Sequence, residues 1–361
     1  MSKQFYSLTI LEIRNETADC ISIKFEIPRE LRQEFKYSAG QNITLRLMMQ
    51  GQEIRRSYSI CSSPHENEFR IAVKKAEQGL FSSHAHQHFR VNDVLEIMPP
   101  SGSFHLPTNP ENKKHYIAFA AGSGITPVIS ILKTILKEEP LSHVTLVYGN
   151  KNRNSVIFQE ELLGLKNRYA TKFQLISIFS REKMDSPLFE GRIDAKKCES
   201  LFRQIVPMAA DQEYVLCGPA TMIFSIRDWL LPKKISPEKI HFELFSGLGE
   251  SSAYSKKTAF VTENPSLKKT TVTVILDGVS TGFTMPAQGP SILEAAIVAG
   301  ADLPWACRAG VCATCRAKLV QGTVTMDQNY ALAEEEIAQG FILTCQSHPT
   351  SENLLVDFDI R

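Results

Sequence analysis

Residues 303–318 read LPWACRAGVCATCRAK and place Cys307, Cys312 and Cys315 in one short loop, with twenty-nine residues between Cys315 and a further cysteine, Cys345. Four intervening residues, then two, then a distant fourth thiol is a spacing by which four thiolates hold a 2Fe-2S cluster. The neighbours suit that chemistry. Three sulfurs must converge on one small body while backbone N–H groups reach its sulfides, which excludes bulky side chains, and Ala306, Ala309, Gly310, Ala313 and Thr314 are all small. A zinc knuckle on Cys312 and Cys315 is the alternative, but zinc usually takes two close pairs of ligands and only one such pair is present.

The cluster loop needs only the last ninety or so of the 361 residues, so the chain has room for two or three domains, each with its own core. With 43% hydrophobic and 22% charged residues and a net charge of +1, the composition describes a globular protein and excludes a disordered or nucleic-acid-coating chain. The charge is uneven: residues 269–361 carry −5 and residues 1–268 carry +6. Opposite signs favour docking of the acidic end on the basic body or on a basic partner, and a merely solvated acidic face is an equally simple reading. Cys20, Cys61, Cys198 and Cys217 show no disulfide-like spacing, so a reducing cytoplasm is expected. The start, MSKQFYSLTI, has no export pattern, and the longest apolar stretch, Tyr116 to Leu132, is broken by Gly122, Ser123, Gly124 and Pro127. Neither an export signal nor a membrane span is expected.

The first hundred residues alternate as short strands at 7–13, 20–27, 42–49, 53–60, 69–75 and 95–98, punctuated by Gly40, Gly51 and Ser62-Ser63-Pro64, which predicts a closed antiparallel barrel. Near the end of the fourth strand stands Arg56-Ser57-Tyr58-Ser59. Alternation sends Arg56 and Tyr58 to one face, which suits stacking an aromatic ring system and pairing a phosphate, unless this is an ordinary surface strand. Gly79-Leu80-Phe81-Ser82 then opens a helix through His88, whose N-terminal N–H groups and the Ser82 hydroxyl suit a phosphate. His84 and His88 are one helical turn apart, but with no acidic or cysteine ligand nearby a solvated helix face explains them as well as a metal does.

From His115 long apolar runs alternate with helices, the pattern of a parallel sheet. The strand 116–120 runs into Gly122-Ser123-Gly124-Ile125-Thr126-Pro127 and a helix to Leu136. The glycines admit a pyrophosphate to the helix N-terminus, and Pro127 suits the first helical turn, although the third glycine of GxGxxG is missing. Strands at 144–148, 173–179 and 214–217 and helices at 156–163, 198–205 and 221–230 follow. The last strand ends in Cys217-Gly218-Pro219, a thiol at the carboxyl edge where open sheets bind ligands, or else a buried inert cysteine. Between Gly247 and Lys268 the pattern lapses into a Ser-, Lys- and Gly-rich linker. Beyond it come a hairpin about Asp277-Gly278, a helix at 291–299, the cluster loop, a strand to Val320, a helix at 333–339 capped by Gly340, a strand at 341–345 and a last strand at 354–358: a small α+β unit.

Read together, RSYS, GLFS, GSGITP, CGPATM and Glu243-Leu244-Phe245 stand in the order and spacing of the ferredoxin-NADP reductase superfamily, which this chain resembles over its whole length. A plant-type ferredoxin after the nicotinamide region resembles the reductase components of multicomponent oxygenases. The segments RSYSICSS, AAGSGITP and DLPWACRAGVCATCRAKLVQGTVTMDQNYAL are most similar to the reductases of phenylacetyl-CoA epoxidase (ring-1,2-epoxidase) complexes. The resemblance implies a flavin-binding β-barrel domain at 1–108, an NAD(P)-binding α/β domain at 109–246, a linker at 247–268 and a β-grasp 2Fe-2S ferredoxin domain at 269–361. It implies that Tyr58 stacks on the flavin, Ser59 lies near its N5, Arg56 binds its phosphate, and Gly79 with Ser82 binds the pyrophosphate. It implies further that Gly122, Gly124 and Thr126 cradle the nicotinamide dinucleotide, that Cys217 and Gly218 lie by the nicotinamide ring, and that Glu243 and Phe245 close over the flavin. Cys307, Cys312, Cys315 and Cys345 are the implied cluster ligands. FAD is the implied flavin, and FMN, used by some members with this domain order, is the alternative. The implied partner is a di-iron oxygenase acting on phenylacetyl-CoA in phenylacetate catabolism, with a Rieske-type oxygenase, or no oxygenase at all in a diaphorase, as alternatives; neither nucleic acid nor membrane is a partner.

Electron counting agrees with this arrangement. NAD(P)H gives two electrons as hydride, the cluster takes one, and a flavin accepts two and releases them singly. Clusters of this type lie near about −400 mV, so hydrogen bonding and exposure around the sulfurs are expected to raise the potential here. After the strand 173–179, Ser180-Arg181 resembles a grip on the 2′-phosphate of NADPH, with NADH open. The Lys-x-Tyr that follows in plant-type reductases is missing, Gly191-Arg192 stands in that region, and a plain surface arginine is the alternative for Arg181.

Overall fold

A computed structural model describes residues 4–49, 51–77, 79–206, 208–209, 211–244, 258–259 and 269–360. The chain divides into two compact units, Met1–Phe245 and Ser246–Arg361.

In the first unit, strands β1 (Tyr6–Thr17), β2 (Cys20–Phe25), β3 (Asn42–Met49), β4 (Gln52–Ser59), β5 (Phe69–Lys74) and β6 (Val94–Ile97) form one antiparallel sheet in the order β4-β3-β6-β1-β2-β5. An antiparallel bridge from Ile60 to Ile71 joins its two edge strands, and the Cys61 N–H donates to the Arg70 carbonyl at 2.9 Å. The sheet is thereby closed into the predicted barrel, which leaves little edge to pair elsewhere. Leu8, Ile10, Ile23, Ile43, Leu45, Ile71 and Ile97 fill it as alternate residues of their strands. Helix α1 (Leu80–His88) adds Phe81 and Ala85 to the same core.

The same unit carries β7 (His115–Ala121), α2 (Ile125–Glu138), β8 (His143–Asn150), α3 (Gln159–Arg168), β9 (Phe173–Phe179), α4 (Ala195–Gln204), β10 (Gln212–Gly218), α5 (Ala220–Leu230) and β11 (Ile240–Leu244). All five strands are parallel, in the order β11-β10-β7-β8-β9. The chain winds outward from β7 through β8 to β9, then returns to lay β10 on the other side of β7. The carboxyl ends of β7 and β10 therefore flank the switch point, where such sheets form a crevice. Helix α3 begins at Gln159, three residues later than its sequence predicts, because Phe158 takes a left-handed φ of 61° and residues 156–158 bury their side chains in the sheet core. Ile240–Leu244 is a fifth strand where sequence showed only a short motif.

The second unit holds β12 (Thr258–Ala259), β13 (Lys269–Leu276), β14 (Val279–Pro286), α6 (Ile292–Val298), β15 (Arg316–Gln321), β16 (Val324–Met326), α7 (Glu334–Ala338), β17 (Phe341–Leu343), β18 (Ser347–Pro349) and β19 (Asn353–Asp357). The main sheet runs β14-β13-β19-β15-β17, with β13 and β19 parallel and the other pairs antiparallel; β12, β16 and β18 form a small second sheet. The Asp277-Gly278 turn has φ of 51° and 73°, and the Asp359 carboxylate accepts both of its N–H groups at 2.8 and 2.9 Å. Ser291 and Glu294 cap α6 reciprocally, and Ile292, Leu293 and Ala296 of that helix are buried in the unit's core. No helix among the described residues is long and apolar enough to cross a membrane.

Candidate functional site

The barrel's β4 pairs Tyr58 with Ile43 and Arg56 with Leu45, so Tyr58 and Arg56 share a face, while Ser57 and Ser59 take the other. The Tyr58 ring is half-buried at the barrel end, 5.6 Å from the Phe81 ring, and burial pushes its phenol upward. Arg56 is exposed, with Nη1 donating to the Arg55 carbonyl at 2.7 Å. The buried Ser59 hydroxyl donates to Oε2 of Glu243 on β11 at 3.2 Å, which ties the barrel to the parallel sheet. Burial pushes the Glu243 carboxyl up to about 8. A Ser-Glu pair in which the acid holds its proton is a polar edge without a charge, and it suits the polar nitrogen edge of a flat ring.

Gly79 caps α1, and Ser82 belongs to its first turn. The Ser82 hydroxyl accepts from the Ala76 N–H at 3.0 Å and donates to the Gly79 carbonyl at 3.3 Å, so it holds the loop as well as facing the helix N-terminus. His86 turns to the Val73 carbonyl at 2.9 Å, while the His84 and His88 rings pair at 4.6 Å. Among the described residues no third ligand joins them to hold a metal ion.

At the switch point, Gly122 has φ of 53° and its missing Cβ would meet only Lys74 Nζ, at 3.8 Å. That open concave backbone beside a cation is a cradle for a phosphate. Gly124 packs so closely on β10 that a Cβ there would overlap the Cys217 carbonyl oxygen. Thr126 donates to the Ser123 carbonyl at 3.0 Å, and Tyr148 donates to the Gly122 carbonyl at 3.0 Å, which fixes the loop from both sides. Cys217 is fully buried and burial pushes its thiol well up, so it is a compact apolar wall rather than a thiolate; Gly218 follows with φ of 156°. Lys74, which also lies 3.6 Å from Asp19, was not singled out from sequence, although a lysine ending a strand five residues before Gly79 was the available signal.

Beyond β9, Ser180, Arg181, Glu182, Lys183, Glu190 and Gly191 line a cleft of about 350 Å³. Arg181 is exposed. The Glu182 carboxylate is held by Arg153, by Nε at 2.9 Å and by the backbone N–H at 2.9 Å. The acid at the strand end is thus already paired, and Arg153 is a second residue sequence did not single out. Phe245 lies outside the described residues, as does most of the linker.

In the second unit, Arg308, Gly310 and Ala313 take left-handed φ of 53°, 73° and 54°, which winds the loop tightly around a small volume. Ala309 N–H donates to the Cys307 sulfur at 3.3 Å. The four thiols neighbour one another in two pairs, Cys307 with Cys312 and Cys315 with Cys345, and the Cys312 thiol donates to the Thr314 hydroxyl at 3.1 Å. The neighbouring Cys312 and the loop N–H groups hold Cys307 below the ordinary thiol range, whereas Cys312 and Cys315 are pushed up by their partner sulfurs and by burial. Among the described residues no three ligands converge as a single ion requires. Two pairs of sulfurs at a loop lined with N–H groups fit the four-thiolate donor set of a 2Fe-2S cluster better than a zinc knuckle on Cys312 and Cys315.

Family models for an oxidoreductase FAD-binding domain, an oxidoreductase NAD-binding domain and a 2Fe-2S iron-sulfur cluster binding domain match residues 7–106, 119–228 and 274–350. These domains define an NAD(P)H-dependent oxidoreductase of the kind that serves oxygenases as reductase component. The chain is 40% identical over 99% of its length, and 98% of the relative's, to a component of the 1,2-phenylacetyl-CoA epoxidase of Escherichia coli (strain K12). It is 30% identical over 97% of its length, and 96% of the relative's, to the ferredoxin reductase component of the 3-ketosteroid-9-alpha-monooxygenase of Rhodococcus rhodochrous. Phthalate dioxygenase reductase shares the fold over 98% of both chains, at a TM-score of 0.59 and 24% identity. An intact type IV self-sufficient cytochrome P450 monooxygenase shares it at 0.69 and 21%, the present chain spanning 41% of that one's length. The chain belongs to the family of ferredoxin-NADP-reductase-type oxygenase reductases with a C-terminal 2Fe-2S ferredoxin domain, and the phenylacetyl-CoA epoxidase component is its relative within that family.

Proposed function

We propose that this chain passes electrons from NADPH, by way of FAD and its 2Fe-2S cluster, to a di-iron oxygenase that epoxidises phenylacetyl-CoA in phenylacetate catabolism. The observation that carries the reading is the 40% identity to the phenylacetyl-CoA epoxidase component, sustained over nearly the whole of both chains. The bound flavin supplies the conversion of a two-electron donor into one-electron steps. Tyr58 would cover one face of that ring, and the Ser59 hydroxyl oxygen, its proton given to Glu243, would stand at its polar nitrogen edge. Glu243, neutral at pH 7, keeps the Ser59 hydroxyl oriented without placing a charge beside the ring. Arg56 and the Gly79–Ser82 helix start take the flavin phosphates. The Gly122–Gly124 loop with Thr126 and Lys74 holds the NADPH pyrophosphate, and Cys217 and Gly218 let the nicotinamide approach without a bulky or charged side chain. Ser180 and Arg181 take the 2′-phosphate, a choice favoured by the pairing of Glu182 with Arg153, which withdraws the carboxylate that would repel it. Cys307, Cys312, Cys315 and Cys345 hold the cluster.

The test is NADPH-dependent product formation by this chain with a purified di-iron phenylacetyl-CoA oxygenase, with a Rieske-type oxygenase in parallel. Epoxide formed only with the first is expected. Turnover of the Rieske enzyme alone would transfer the chain to the second class, and NADPH oxidation with neither would leave it a diaphorase.

A further inference from the structure

Gln346 follows Cys345 and sends its side chain back over the cluster loop. Its Nε2 donates to the carbonyl of Arg308 at 3.0 Å and to that of Cys345 at 3.0 Å. Two carbonyl oxygens at that distance fix which end of the amide is nitrogen, since an amide oxygen there would face two acceptors. The same nitrogen lies 3.8 Å from the Cys345 sulfur, so one of its hydrogens is shared with that sulfur. Gln346 is also packed on the loop and tied by its main chain: a Cβ on Gly310 would come within 3.2 Å of its Cγ, and its backbone carbonyl accepts from the Asp327 N–H at 2.9 Å. Arg308 itself is pinned by its guanidinium on the Trp305 ring at 3.8 Å. Gln346 thus bridges the loop bearing Cys307 and Cys312 to the strand end bearing Cys345, with a donor aimed at a ligand sulfur.

We infer that Gln346 is the positioning residue of the 2Fe-2S site: it clasps the cluster loop to Cys345 and raises the cluster potential by N–H donation to that sulfur. The inference rests on the reading of the four cysteines as cluster ligands. A hydrogen bond to a ligand sulfur draws negative charge from the cluster and favours its reduced, more negative state, so removing it must lower the potential. Ligand thiols give up their protons on binding the cluster, whereas the Gln346 amide keeps its hydrogens.

The experiment is a potentiometric titration of the full-length holoprotein, followed by electron paramagnetic resonance of the reduced cluster, with the flavin couple as internal reference. Gln346→Ala and Gln346→Glu, the second isosteric but presenting oxygen, are each expected to shift cluster reduction by about tenfold or more toward lower potential, equivalent to about 59 mV for one electron, with flavin potentials unmoved. Unchanged cluster potentials in variants with wild-type iron content overturn the inference. If neither variant loads a cluster, wild-type protein carrying 15N in its glutamine side chains decides: a coupling of that nitrogen to the reduced cluster is expected, and its absence overturns the inference. A wild-type protein that binds no iron would instead refute the cluster reading.

Discussion

The Ser59 hydroxyl and the Glu243 carboxyl, 184 positions apart, meet at 3.2 Å where the barrel faces the parallel sheet. Burial pushes Glu243 up to about 8, against about 4.3 for a free glutamate. The folded state then holds its proton while the unfolded chain has already lost it. Stability therefore falls as pH rises between those two values and levels off above about 8. Urea midpoints measured from pH 4 to 9 should show that decline in the wild type and a flatter profile in Glu243→Gln. Ser59→Ala should slow flavin reduction by NADPH about a hundredfold, the usual cost of one positioned hydrogen-bonding group at a reacting edge, with flavin content unchanged. A stopped-flow rate within twofold of wild type would remove Ser59 from the reacting edge.

Gly124 has an ordinary helical backbone, so what it lacks is room: a Cβ would overlap the Cys217 carbonyl. Gly124→Ala must push the loop off β10. We expect a loss of about 1–3 kcal/mol in stability, typical of overpacking. A rise in KM for NADPH of at least about tenfold should accompany it, since 1.4 kcal/mol suffices for that. Thermal unfolding and steady-state ferricyanide reduction check the two effects separately.

Much of this was legible in the sequence because it is local. The barrel strands announced themselves by alternation, the Asp277-Gly278 hairpin by its turn residues, and the cluster loop by cysteine spacing. What escaped depended on tertiary placement. Residues 156–158 continue the apolar pattern of a helix, yet the left-handed Phe158 and the sheet core claim them before α3 begins. The three-residue strands β16 and β18 are too short to show a period, and they exist because they pair with each other. Lys74 gains its interest only when the barrel brings it to Gly122, and Arg153 only when it reaches Glu182 across 29 residues.

Among the described residues each compact unit has core clusters of its own, of barrel and of sheet residues in the first and of ferredoxin residues in the second. A chain ending at residue 268 should keep its flavin and reduce ferricyanide with NADPH at near the full rate, and should lose cytochrome c reduction and oxygenase support. In the full chain, Cys345→Ala should lose the visible absorption and iron of the cluster and retain flavin. Full oxygenase support by the truncated chain would take the cluster off the electron path, and unchanged iron in Cys345→Ala would require a different fourth ligand.

The proposed use of NADPH turns on Arg153 as much as on Arg181. Arg181 is exposed at the rim of the cleft after β9, where a 2′-phosphate would sit, and a charge-assisted hydrogen bond contributes about 1.5–3 kcal/mol. Arg181→Ala should therefore weaken kcat/KM for NADPH about ten- to a hundredfold and leave NADH nearly unchanged. Arg153 acts at one remove, by holding Glu182 at 2.9 Å. In Arg153→Ala that carboxylate loses its countercharge and keeps only the backbone N–H of position 153; uncompensated, it repels a 2′-phosphate and can accept a 2′-hydroxyl, so NADPH should weaken while NADH improves. The double variant Arg153→Ala/Glu182→Gln should recover NADPH use, because the repelling charge is gone. Steady-state kinetics with both cofactors separate the roles. Equal losses for NADH and NADPH in Arg181→Ala would show that this arginine does not read the phosphate, and no gain for NADH in Arg153→Ala would show that Glu182 stays out of the site even when free.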